Sequence, residues 1–217
     1  MRAGKKGLFI TFEGIEGCGK TTQIRRLAKR LGRRGVPVLT TKEPGGTAIG
    51  QGIRRMLLDA RNRHLSPVAE WMLYAADRAQ HVEEVIRPAL RQGKWVLCDR
   101  FMDATEVYQG WARGQDTEMI RIINEILTGG IRPRRTFLLD LPVETGLRRA
   151  LKRNLSPAQR GQDRFEREHL SFHRKVRKAY LQLARREPER FIVIEASGTQ
   201  GEIEAAICRH IEALLPP

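Results

Sequence analysis

Residues 14–21 read Gly-Ile-Glu-Gly-Cys-Gly-Lys-Thr and match the pattern GxxxxGK[ST]. Residues of these types at this spacing hold a chain of phosphates. The glycines let backbone N–H groups turn inward, and the start of the following helix adds its dipole. Lys20 is placed to reach the β- and γ-oxygens of a nucleoside triphosphate, taken as ATP, and the Thr21 hydroxyl to ligate Mg²⁺. Gly14, Ile15, Glu16, Gly17, Cys18, Gly19, Lys20, Thr21 and Thr22 are therefore the expected nucleotide site. Glu16 is discordant, since a carboxylate opposes the positive potential that such a loop collects. The motif defines a nucleotide and not a reaction, because GTPases, motor ATPases, helicases and small-molecule kinases share it.

The motif carries weight only between a strand and a helix. The apolar run 7–12, "GLFITF", supplies the strand, and Ile24, Leu27, Ala28 and Leu31 at helical spacing supply the helix. Further strands are expected at 36–41, 94–99, 136–141 and 190–196. Helices are expected around 48–58, from Ser66-Pro67 through Ile86, over 119–127, from 143 to 152, near 164–186 and at the C-terminal end. On the second of these, Met72, Ala75, Ala76, Ala79, Val82 and Ile86 share a face; on the third, Met119, Ile122, Ile123, Ile126 and Leu127 recur. Five strands alternating with helices predict an α/β domain with a parallel sheet covered on both faces. The polar, aperiodic stretch "RNLSPAQRGQD" (153–163) reads as a mobile segment.

The 217 residues fit one domain, 1–217, large enough to bury a core without staples. Cys18, Cys98 and Cys208 have no metal-site or disulfide spacing and are expected as fillers. No run approaches a membrane span and the N-terminus lacks a signal pattern, so the cytoplasm is the expected location and no membrane partner is expected. Forty Lys and Arg against 25 Asp and Glu give a net charge of +15, which calls for a polyanionic ligand. A nucleic-acid-binding P-loop ATPase is one such reading. Against it, no aromatic-interleaved basic stripe is present, and no stable nucleic-acid partner is expected.

Beyond the loop, "TKEPGGT" (41–47), "LYAADR" (73–78), "DRFMDATEVYQG" (99–110) and "DRFE" (163–166) resemble, in order and spacing, segments of the thymidylate kinases, which phosphorylate dTMP to dTDP. With "FITFEGIEGCGKTTQ" the resemblance spans nearly the whole chain. It implies a P-loop nucleoside monophosphate kinase fold with a lid near 153–163, ATP and Mg²⁺, a place in dTTP synthesis for DNA replication, and a homodimer through helices around 66–91 and 105–128. A kinase of the same fold for another monophosphate, such as dUMP, is the alternative. The acceptor phosphate is mostly a dianion at neutral pH, its second pKa being about 6, so no general base is needed. Arginines and Mg²⁺ must instead cancel the repulsion between two polyanions.

By the same resemblance Arg100 bridges the acceptor phosphate and the transferred group; Asp99, an acid ending a strand beside the loop, is expected to support Mg²⁺ through water. Arg54 is the second clamp on the acceptor, with Arg55 its competitor. Tyr74 stacks on thymine and Arg78 addresses a base oxygen, although an aromatic on that helix face would otherwise read as core. Tyr108 crowds the sugar C2′ position with Gln109 beside it, Pro44 follows a cis bond, and Glu16 accepts from the 3′-hydroxyl of the deoxyribose. Arg149 packs on adenine, bordered by Ser197 and Gly198. Ala104 and Val107 depart from the family's serine and alanine, which bears on contacts to thymine. Some members carry an arginine after the loop acid where this chain has Gly17, so the catalytic charge is expected from the lid, from Arg153 or Arg160.

Overall fold

The computed structural model describes residues 7–62, 64–154 and 164–215. Five strands form one sheet: β1 (Phe9–Glu13), β2 (Val38–Lys42), β3 (Trp95–Asp99), β4 (Arg135–Asp140) and β5 (Phe191–Glu195). Every pairing is parallel and the order is β2-β3-β1-β4-β5, so the loop strand is central. Alternation along the strands splits the core. Phe9, Val96 and Cys98 pack with Val82, Ile86 and Phe101, whereas Ile10, Phe12 and Leu97 join a larger cluster with Ile24, Leu27, Leu31, Ile203 and Ile207.

Helices α1 (Lys20–Arg33), α2 (Ala48–Leu58) and α3 (Pro67–His81) begin where the sequence signals them. Thr47 and Ser66 cap α2 and α3 by accepting the amides of Gly50 and Ala69. A π-helical turn, Val82–Ile86, joins α3 to the short α4 (Arg87–Arg91). After β3, α5 (Met102–Thr105) runs into a second π-helical stretch, Glu106–Ala112, and then α6 (Thr117–Thr128) follows. The chain continues through α7 (Val143–Asn154), α8 (Leu170–Arg186) and α9 (Gln200–Glu212), whose start is a capping box of Thr199 and Glu202.

Three expectations need correction. On α3, Met72 and Ala76 are exposed, while Trp71, Asp77, Arg78 and His81 turn inward beside Ala75. The helix read as starting near 164 begins at Leu170, with turns before it. On α6 the inward residues are Ile120, Asn124 and Thr128, while Met119, Ile122 and Ile126 are exposed. The apolar period there marks an outward face, because Asn124 turns inward to accept from a buried arginine, Arg78. The three cysteines are free and buried, as fillers would be. The expected lid falls mostly on 155–163, outside the described residues.

Register aligns the functional loops. Phe12 pairs with Asp99, and Lys42 pairs with Asp99 from the other side, so the phosphate loop, Arg100 and the "EPGGT" turn leave the sheet side by side. Ligands of open parallel sheets bind at this carboxyl edge.

Candidate active site

Lys20 is buried against its own loop, its Nζ donating to the carbonyls of Gly14 and Ile15 at 3.1 and 3.0 Å. Thr21 Oγ1 donates to Asp99 Oδ2 at 2.6 Å. These two hard oxygen donors adjoin the loop, and Mg²⁺ favours one or two such groups completed by phosphates and water. The described residues contain no cluster of three His, Cys, Asp or Glu that could hold a metal. The side chains of Ile15 and Cys18 point into the core, which leaves those positions only their backbone for a ligand. Thr22 is half-buried on the first turn of α1.

Gly17 has φ +71°, and a Cβ there would lie 2.1 Å from the carbonyl oxygen of Gly146 on α7. In this chain the position cannot carry a side chain unless α7 moves. The contact also brings α7 onto the loop. Gly146 and Ala150 touch it, and position 153 continues their stripe at helical spacing, at the penultimate residue of α7. Arg149 is exposed on the same helix, and Ser197 and Gly198 are exposed beyond β5. Arg160 lies outside the described residues.

Glu16 and Arg100 form the second half of the site. Arg100 holds φ +68°, a left-handed backbone that costs a non-glycine residue on the order of 1–3 kcal/mol. Its neighbours enforce it: Arg100 N–H donates to Phe12 O at 3.0 Å, and Phe101 N–H donates to the buried Glu13 carboxylate at 2.8 Å. The guanidinium does not pair with adjacent Asp99. It donates to Glu16 Oε1, Tyr108 OH and Tyr180 OH, each at 3.0 Å, and lies over the Tyr108 ring. Tyr108 OH donates to the same Glu16 oxygen at 2.6 Å, and Tyr180 OH to Glu13 at 2.7 Å. Burial pushes the Glu16 carboxyl up, but contacts to His173, Arg100, Lys20 and Tyr108 outweigh it and hold the group well below the usual carboxylate range. Burial, reinforced by Asp103, raises Glu13 to about 7 against the pull of Arg100, Tyr180 and the Phe101 amide.

The "EPGGT" and "YAADR" segments interlock. The Glu43-Pro44 bond is cis. Glu43 accepts from Arg78 Nε at 3.0 Å and pairs with His81 Nδ1 at 2.9 Å, while Asp77 accepts the Gly45 amide at 2.9 Å. Arg54 crosses this turn, donating to Pro44 O at 3.0 Å, and its charge is felt by Arg100, Asp99 and Tyr74; Arg55 is exposed. Of the two, Arg54 is the one held against this turn. Arg78 is 1% exposed and commits four donor bonds to Glu43, Asn124, Phe101 O and Thr105. The guanidinium is therefore committed to this buried network. Tyr74, half-buried one turn earlier, packs against the core cluster. Gln109 is not brought to the cleft: it is buried and donates to Glu70 at 2.8 Å. Val107 is buried in the core, so its extra bulk is absorbed there, and Ala104 is half-buried against the same cluster.

Sequence reasoning missed Glu13, Glu43, Asp77, His81, Gly146, His173 and Tyr180. An acid ending an otherwise apolar strand is a signal in itself, since acids are rarely buried unpaired. The positions on α8 carry no comparable signal.

A parallel sheet of this order, with a phosphate loop on its central strand and an arginine-carboxylate-tyrosine cluster beside it, defines a P-loop nucleoside monophosphate kinase. The family model for thymidylate kinase matches residues 12–207. Thymidylate kinases of Desulfosudis oleivorans and Geotalea uraniireducens are each 54% identical, over 94% and 96% of this chain and 96% and 98% of their own lengths. The crystal structure of thymidylate kinase from Ehrlichia chaffeensis superposes with a TM-score of 0.75 at 31% identity, covering 97% of this chain and 99% of that one. The chain belongs to the thymidylate kinase family, and it phosphorylates dTMP to dTDP.

Proposed function

We propose that ATP is the phosphoryl donor, that it binds with Mg²⁺ on the Gly14–Thr22 loop, and that 1–217 works as a single kinase domain in the cytoplasm, supplying dTTP synthesis. The observation that carries this reading is the juxtaposition of Lys20 and the Thr21–Asp99 pair with the Glu16–Arg100–Tyr108 cluster along one loop. Lys20 takes the donor's phosphate oxygens. Thr21 and Asp99 hold the ion, which supplies charge neutralisation between donor and acceptor. Arg100 and Arg54 clamp the acceptor phosphate, already a competent nucleophile as a dianion, so the protein's work is alignment and charge cancellation. Tyr74 takes the thymine face and Arg78 a base oxygen. Tyr108, held by Glu16 and Arg100, lies against the sugar, and Glu16 accepts from its 3′-hydroxyl. Gln109 supports the pocket through Glu70. Arg149 borders adenine, and Arg153, on the loop-facing stripe of α7, brings the charge that Gly17 cannot, with Arg160 as the lid's second donor.

No helix among the described residues is long and apolar enough to cross a membrane. A homodimer through α3 and α6 is supported by exposed Val68, Met72, Met119, Ile122 and Ile126. An acceptor panel tests the activity: coupled ADP release should favour dTMP over dUMP, UMP, CMP, AMP and GMP, and Lys20→Ala should abolish it. Equal rates with dUMP would point to the broader deoxypyrimidine kinase.

A further inference from the structure

His173 on α8 is fully buried, and neither of its ring nitrogens has a hydrogen-bond partner among the described residues. Glu16 Oε2 is buried and without a hydrogen bond as well. The two face each other, with Nδ1 3.4 Å from Oε2, about half an ångström beyond a normal hydrogen bond. Unsatisfied buried donors and acceptors are costly, and here one small movement pairs Nδ1 with Oε2. The ring has little room to turn away. It stands at 90° to the Phe172 ring with centroids 5.6 Å apart, and Phe172 in turn stands edge-on to Tyr108. The other Glu16 oxygen is already committed to Tyr108 and Arg100.

We infer that His173 is a positioning residue for Glu16: its Nδ1–H engages the buried Oε2 and fixes the plane in which the carboxylate meets the acceptor's 3′-hydroxyl. The inference rests on the reading of Glu16 as the partner of that hydroxyl. Tyr108 and Arg100 hold one edge of the carboxylate, and α8 holds the other.

The test is steady-state kinetics at saturating ATP with dTMP and its 3′-deoxy analogue, for the wild type, His173→Leu, His173→Asn and Glu16→Ala. His173→Leu should raise KM for dTMP about tenfold, the worth of one hydrogen bond to a charged group, and leave kcat and KM for ATP near wild type. With the 3′-deoxy substrate the difference should shrink to within about twofold, and His173→Asn, which keeps a donor, should restore most of the loss. Should the leucine variant fold poorly, His173→Phe fills the same space without a nitrogen and carries the same comparison. Equal losses on both substrates, or kinetics indistinguishable from wild type, overturn the inference. If Glu16→Ala discriminates between the substrates and His173→Leu does not, His173 alone is misassigned; if Glu16→Ala harms both equally, the reading of Glu16 fails and takes this one with it.

Discussion

At the residue scale, the buried Glu13 and the half-buried Glu16, on either side of Gly14, behave in opposite ways. Glu16 meets cations and donors and stays ionised, whereas Glu13 is raised from 4.5 to about 7 by burial and by Asp103. An acid whose folded-state pKa is raised holds a proton that the unfolded chain has released. Between about pH 4.5 and 7 the native state therefore loses stability from Glu13 as pH rises. Glu13→Gln should flatten this slope in urea titrations run at pH 5, 6 and 7, since a neutral amide carbonyl can still accept the Phe101 N–H. Glu13 also stabilises the left-handed backbone at Arg100 through that amide, so Glu13→Ala should lower kcat while leaving ATP binding intact. A parallel fall in ATP affinity would show that Glu13 serves the donor half instead. The loop motif and Arg100 are legible in the sequence because their chemistry demands fixed residue types at fixed spacing. The supports of Arg100 are not, because Tyr180 comes from 80 residues away and only the folded sheet brings it near.

At the scale of elements, the contact between the loop and α7 decides where positive charge can come from. Gly17 and Gly146 approach so closely that neither tolerates a Cβ, with 2.1 Å and 2.5 Å to the facing carbonyl oxygens. Gly146→Ala should push the loop and α7 apart, costing roughly 1–3 kcal/mol of stability and raising KM for ATP. Arg153→Ala should lower kcat by about 100-fold or more if it carries the transferred charge, and Gly17→Arg should not restore it, because the new side chain has no room. Rescue by Gly17→Arg would mean that α7 yields easily. Strands and most helices are legible from period and caps: α2 and α3 start at Thr47 and Ser66, each with a side-chain cap. The π-helical stretch Glu106–Ala112 is not, since an extra residue per turn leaves no sequence period to read. It nevertheless aims Tyr108 at Glu16 and Gln109 at Glu70. On α6 the apolar period is real but points outward.

For the whole molecule, the charge of +15 is carried largely by arginines, many of which here hold carboxylates. Arg78 binds Glu43, Arg113 and Arg164 bind Glu70, and Arg190 binds Asp103. The exposed apolar stripe of α6 predicts self-association: Ile122→Glu with Ile126→Glu should turn a dimer into a monomer by light scattering, and an unchanged mass would place the interface elsewhere. The central claim is that one loop serves both substrates, Lys20 and Thr21 the donor and Glu16 the acceptor. Its most direct test is Glu16→Ala, measured for KM and kcat with dTMP beside the affinity for ATP. A loss of at least about tenfold in kcat/KM for dTMP with ATP affinity unchanged is the predicted result, and equal loss of both would contradict it.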